Sequence, residues 1–132
     1  MEITTPLTDQ IARYLDLSAF ELKLTAQNMA NIDTPGYRTV GFEFAAEMER
    51  SMAEVIAHRQ SQAGPGAKRE PSASGVTVEK VDGLLERPDG NNVSLDREGM
   101  KMAEAQLQFR AGVELLKHEV TRVLDAIHAD TK

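Results

Sequence analysis

Three stretches of the chain carry apolar and small residues at helical spacing, and the ground between them does not. From Pro6 to about Asn31, Leu7, Ile11, Leu15, Ser18, Leu22, Thr25, Met29 and Ile32 follow one another at steps of four and three. This predicts an amphipathic helix over residues 7–33. Thr5 and Pro6 supply an N-cap and a first-turn proline, and Asp9 suits the positive end of the helix dipole. The run halts at Asp33-Thr34-Pro35-Gly36. A residue before proline is pushed toward extended conformations, and Pro-Gly fits the two central positions of a type II turn, so residues 34–41 are expected to turn the chain.

The second stretch, residues 42–61, sets Ala45, Met48, Met52, Val55 and Ile56 against Glu, Arg and Gln, which predicts a shorter amphipathic helix. Residues 62–75 concentrate Gly, Pro, Ser and charge without apolar period, the composition of a flexible linker. Val76, Val78 and Val81 to Leu85 suit a short extended segment, and Pro88-Asp89-Gly90-Asn91 a turn. Residues 62–93 are thus expected to form a flexible, loop-rich middle.

The third stretch is the most regular. Leu95, Gly99, Met102, Gln106, Phe109, Val113, Leu116, Val120, Val123 and Ile127 alternate steps of four and three, a heptad seam of about five repeats. With Ser94 as N-cap and Asp96 and Glu98 in the first turn, a helix over 94–129 is expected. Gly99 and Gln106 are not apolar, so looser packing is expected near its start. The fold class is mainly α: long N- and C-terminal helices in a coiled-coil-like layer, with a shorter helix and a loop-rich, short-stranded middle, all in one domain spanning 1–132.

Length argues for assembly. A helix over 94–129 is roughly 54 Å long, whereas a compact chain of this size has a radius of gyration of about 14 Å. The N-terminal helix, about 38 Å long, covers only part of the longer seam. Ile11, Leu15, Leu22 and Met29 on one helix and Met102, Phe109, Val113, Leu116, Val120, Val123 and Ile127 on the other are therefore the expected interface. Leu107, Leu115 and Leu124 lie off the seam and widen the apolar face. The plainer reading is a monomeric hairpin whose surplus is covered by residues 42–61.

Composition narrows the function classes. A formal net charge of -6 argues against binding nucleic acid or an anionic membrane. The chain has no cysteine, which removes disulfides and thiolate chemistry. Its opening residues lack a basic and apolar leader pattern, and no run of apolar residues is long enough to span a bilayer, so neither a Sec route nor membrane insertion is expected. Candidate chemistry is sparse. Glu114 with His118, and Asp125 with His128, are spaced to meet on a helix, but two ligands do not make a metal site, and His58 stands apart. Gly64-Pro65-Gly66-Ala67-Lys68-Arg69 lacks phosphate-loop spacing, and in the sequon Asn92-Val93-Ser94 the serine reads better as a helix cap. No catalytic residues, metal or cofactor are expected.

Asn28-Met29-Ala30-Asn31-Ile32-Asp33-Thr34-Pro35-Gly36-Tyr37 resembles NxANxxTPGY, the N-terminal signature of bacterial flagellar rod, hook and related axial proteins. Asp89-Gly90-Asn91-Asn92-Val93-Ser94-Leu95-Asp96-Arg97-Glu98, leading into MKMAEAQLQFRAGVELL, is similar to the C-terminal half of the proximal rod members of that family. The resemblance spans residues 7–60 and 85–127. It implies a non-enzymatic structural subunit of the proximal rod, in the periplasmic part of the basal body, whose terminal helices pack with copies of itself and other, FlgC-like, rod subunits. A FliE-like adaptor, the MS ring and the export gate are the implied neighbours. Export is implied to run unfolded through the flagellar type III channel, and Phe20 to Leu24 is similar to the Phe-x-x-x-hydrophobic pattern of early export substrates. Asn28, Asn31, Thr34, Pro35, Gly36 and Tyr37 are the implied assembly motif, with Asn28, Asn31 and Tyr37 bonding across the turn or to a neighbouring subunit. The alternative is an export-linked adaptor or chaperone-like module that holds a partner helix in a groove.

Overall fold

The computed structural model describes residues 5–61 and 75–129. Helix α1 (Pro6–Ala30), strand β1 (Val40–Gly41), helix α2 (Phe44–Ser61), strand β2 (Glu79–Lys80) and helix α3 (Leu95–Ala129) follow in chain order. The fold is mainly helical, with two long terminal helices, a shorter middle helix and a minimal antiparallel ribbon pairing Val40 with Lys80 and Gly41 with Glu79. The expected linker over 62–74 and the side chain of His58 lie outside the described residues.

The helix boundaries have local causes. Thr5 caps α1, its hydroxyl accepting from the Thr8 N–H at 3.1 Å, with Pro6 in the first turn. The helix ends at Ala30 rather than residue 33, because Asn31 leaves helical geometry and a later segment of the chain takes the carbonyls that follow. Gly36 has φ +72°, as the Pro-Gly turn requires. Helix α2 starts at Phe44 rather than 42: Phe42 packs on Phe20 with ring centroids 5.7 Å apart, and Phe44 meets Tyr14 edge-on at 5.5 Å. Both rings serve the junction with α1, and only the second begins the helix.

Helices α1 and α3 run antiparallel, with Asn28 bonded to Glu98 at one end and Thr5 to Glu119 at the other. The face that α3 turns to α1 is not the expected seam. Its buried residues are Glu98, Ala105, Gly112 and Glu119, spaced seven apart. Met102, Phe109, Val113, Leu116 and Val123 sit half-buried at the edge of that contact, while Leu95, Gly99, Gln106, Val120 and Ile127 are exposed. On α1 the buried set is Ile11, Leu17, Ser18, Leu24, Thr25 and Asn28, whereas Leu15, Leu22 and Met29 are only half-buried and Leu7 is exposed. The apolar period marks the greasiest stripe, but close helix approach selects the smallest one. A Cβ on Gly112 would lie 2.8 Å from Leu15 Cδ2 and 3.0 Å from Tyr14 Cδ1. A bulkier face would hold the helices apart.

The middle of the chain is less loose than its composition suggests. From Gly75 onward it is mainly loop, yet Asn91, Asn92 and Val93 are among the best buried residues of the molecule.

Candidate assembly site

The two sequence blocks that carried the family resemblance dock on each other at the foot of the α1–α3 pair, and each supplies what the other's backbone lacks. Asn28, in the last turn of α1, is buried with its amide fully used. Its Nδ2 donates to the Val40 carbonyl at 2.8 Å and to Glu98 Oε2 at 2.9 Å. Its Oδ1 accepts from the Tyr37 hydroxyl and the Val40 N–H, both at 3.1 Å. One side chain thereby joins α1, the turn, β1 and α3. Burial pushes the Tyr37 phenol pKa up; a hydrogen bond with Gln27 opposes the shift and the Glu98 charge adds to it.

Asn91 ties down the turn that follows α1 from a distance. Here Asn91 Nδ2 lies 3.0, 3.1 and 2.8 Å from the carbonyl oxygens of Asn31, Ile32 and Thr34, and the Arg87 guanidinium also donates to Ile32. Asn91 is held in turn by its Oδ1 accepting from Val93 N–H at 2.8 Å and its own N–H donating to Asp89 Oδ1 at 3.0 Å. Beside it, Asn92 Oδ1 accepts from Thr39 N–H at 2.7 Å, and the Gly36 N–H donates to the Asp89 carbonyl at 2.8 Å. Gly90, with φ +82°, takes a left-handed conformation that favours glycine and packs its turn against Gly36. The result is a knot held by backbone and amide bonds, with Val93 buried among them.

Of the expected motif residues, Asn28 and Tyr37 therefore turn inward. Asn31 bonds locally, donating to Gln27 O at 2.8 Å and accepting from the Thr34 hydroxyl at 3.1 Å. Thr34, Pro35 and Gly36 stay exposed on the outside of the knot. Leu24 is buried and Phe20 stacks on Phe42, so both belong to the folded core. Glu114 pairs with Lys117 at 2.6 Å rather than with His118. Asn92 of the sequon is buried, with its amide engaged. Among the described residues no three His, Asp or Glu side chains converge as metal ligands, and no helix is long and apolar enough to cross a membrane.

Compared with known proteins, the chain is 30% identical over 122 residues to the flagellar basal body rod protein FlgB of Salmonella typhimurium, covering 86% of each. It belongs to the FlgB family. It is also similar to the FlgB proteins of Escherichia coli, at 26% over 125 residues with 87% of this chain and 88% of the relative covered, and of Cereibacter sphaeroides, at 29% over 129 residues with 96% and 99% covered. No protein-family model matches. As a FlgB-family member the chain is a structural subunit of the flagellar basal body rod and associates with other rod and basal body components. In this FlgB-family chain the residues that build the knot beyond the expected motif are Thr39, Arg87, Asn91, Asn92 and Glu98. The available signal was the pair Asn91-Asn92 just before the α3 cap, in the second of the two resembling blocks. At the other end Glu119 was equally unexpected; it accepts from the Thr5 hydroxyl at 2.8 Å and pairs with Arg122 at 2.8 Å.

Proposed function

We propose that this subunit belongs to the proximal rod and joins its neighbours through the apolar residues of α3 that its own α1 leaves uncovered. The observation that carries this reading is the exposure of Leu95, Met100, Leu107, Leu115, Val120, Leu124 and Ile127 along one helix. At the overhanging end Val120, Leu124 and Ile127 recur at steps of four and three as one exposed apolar stripe, and such a stripe is interface material. Copies of the chain and FlgC-like subunits are the occupants of that surface. A FliE-like adaptor, the MS ring and the export gate adjoin the base of the assembly. The role is non-enzymatic and uses no cofactor.

The motif from Asn28 to Tyr37 serves assembly indirectly on this reading. Asn28 and Tyr37 fix the angle and register at which the two terminal helices leave the knot, and Thr34, Pro35 and Gly36 offer the outer surface of the turn to a neighbour. The pattern from Phe20 to Leu24 acts as an export-gate signal only while the chain is unfolded, since folding buries Leu24. No observation favours the adaptor reading.

The test places Glu at Leu124 and Ile127, separately and together. Both sites are half exposed, so folding should be unchanged to within about 0.5 kcal/mol. The variants are expected to fold as measured by circular dichroism, to drop out of isolated basal bodies and to abolish swimming. A double variant that is incorporated and swims overturns the reading.

A further inference from the structure

Away from the overhang, α1 and α3 each keep a second, open face. On α1, Ile11, Ser18 and Thr25 are buried. About 100° round the helix from them, Ala12, Asp16, Ala19, Lys23, Ala26 and Ala30 follow at steps of four and three, and all six are exposed. Helix α2 leaves this face open, since it is held at Arg13, Tyr14 and Phe20's neighbour Phe42. On α3 the contact with α1 runs through Ala105 and Gly112. Leu107 lies two residues, about 200° of helix, beyond Ala105 and so points away from α1. It is 70% exposed, and Met100, one heptad earlier, is 75% exposed; these are the barest large apolar side chains on any described helix. Ala103 and Ala111 share that outer face and are exposed too.

The two faces complement each other in size and in charge. Large apolar residues recur every seven positions on α3, and alanines every seven on α1. Glu104 and Arg110 flank Leu107, while Asp16 and Lys23 flank Ala19. With Leu107 placed over Ala19 and the helices antiparallel, Met100 meets Ala26, Glu104 comes level with Lys23, and Arg110 with Asp16. With the helices parallel, Glu104 faces Asp16 and Arg110 faces Lys23. Like charges set together disfavour that arrangement. Antiparallel is also the sense of the pair inside one subunit, where Gly112 meets Tyr14 and Glu98 meets Asn28. That internal register already puts Leu107 level with Ala19, so two copies side by side match without an axial offset. Among the described residues Asp16, Lys23 and Arg110 make no ion pair, and Glu104 stands near the like charge of Glu21.

We propose that the outer face of α3 in one copy seats on the alanine face of α1 in the next, antiparallel, with Leu107 over Ala19. The inference rests on the rod-subunit reading and names the surfaces through which copies of this chain meet. Each copy gives one face and receives the other, a head-to-tail contact that continues along an assembly, whereas α1 on α1 or α3 on α3 closes at two copies. Size points the same way: two alanine faces bury little apolar area, and two α3 faces set Leu107 on Leu107. Alanines let the helices approach closely, and the exposed charges set direction more than affinity.

The chain has no cysteine, so introduced ones report contacts between copies. Full-length Ala19→Cys and Leu107→Cys proteins are mixed and oxidised at rising concentration, beside each alone. A second matched pair, Ala26→Cys with Met100→Cys, and a mismatched pair, Ala12→Cys with Met100→Cys, run in parallel. Every altered position is exposed, and circular dichroism checks that each variant folds. The matched pairs are expected to crosslink at least 10-fold faster than the mismatched pair or any single variant, and a chain carrying both Ala19→Cys and Leu107→Cys to form a ladder of multimers. Adding Lys23→Glu to the Ala19→Cys chain should slow its crosslinking to Leu107→Cys several-fold, and Glu104→Lys in the Leu107→Cys chain should restore it. Equal rates for matched and mismatched pairs overturn the contact. Faster crosslinking of a single variant with itself overturns the head-to-tail arrangement, and a charge reversal that Glu104→Lys does not rescue overturns the register. The rod reading is judged separately, by whether the unaltered chain is present in isolated basal bodies and by the Leu124 and Ile127 variants.

Discussion

At the knot, where α1 ends and α3 begins, the chain spends polar groups on itself. Asn28 has no unused hydrogen-bonding atom, Asn91 holds three carbonyls, and Glu98 is wholly buried. At the opposite end α3 outruns α1, and Val120, Leu124 and Ile127 face solvent. The first end makes most of its bonds within one subunit, with the buried Glu98 Oε1 and an Arg97 guanidinium nitrogen left without a hydrogen-bond partner among the described residues, whereas the second exposes apolar side chains. A subunit that must pass from free chain to assembly needs both: a fixed corner that sets the helix pair, and an unsatisfied end that only neighbours can finish.

The sharpest way to break the contrast is to remove an amide from the knot. Asn28→Ala deletes bonds to Val40, Tyr37 and Glu98 and leaves a buried carboxylate without its donor. The expected loss is about 3 kcal/mol or more in urea unfolding. Ile127→Ala at the other end should change stability by under about 0.5 kcal/mol. Comparable losses at the two sites would erase the distinction.

The space between the ends is probed by its glycines. At Gly112 an added side chain meets Leu15 and Tyr14, so Gly112→Val should destabilise by about 1–3 kcal/mol through overpacking. At Gly99 nothing lies within 4 Å, and Gly99→Ala should stabilise by up to about 1 kcal/mol through helix propensity alone. Thermal unfolding of the two variants checks both signs.

The smallest effect concerns pH. Burial raises the Glu21 carboxyl above its ordinary value of 4.5; Lys101 opposes the shift, and Glu104 and Glu43 add to it. Folding therefore favours the protonated form. The stability this contributes is full below pH 4.5 and is lost as pH rises through the higher folded value. At pH 7 the ionised group opposes folding, so Glu21→Gln should stabilise the chain there and lose its advantage on acidification below pH 4.5. A variant with the same gain at every pH would remove charge as the cause.

These contrasts also explain what could be read from the chain in advance. The helices and their caps were legible because their causes are local: Thr5-Pro6 starts α1, Ser94 precedes α3, and the apolar period runs through each. Pro35-Gly36 announced its turn for the same reason. The face of α3 that meets α1 was misread because hydrophobicity ranks Phe109 and Val113 above Ala105 and Gly112, whereas close packing reverses that order. The knot was legible only as two separate blocks. Its bonds join residues 70 apart in Asn28 to Glu98 and 60 apart in Asn91 to Asn31, and no local pattern pairs such distant amides with their carbonyls.

The most direct measurement is hydrogen exchange along α3 in the free chain and again in isolated basal bodies. Protection in the free chain is expected to be high from Glu98 to Glu119 and to fall steeply from Val120 onward, becoming uniform to Ala129 in the assembled rod. A free chain already protected to Ala129, with no gain on assembly, would contradict the claim that neighbours complete this end.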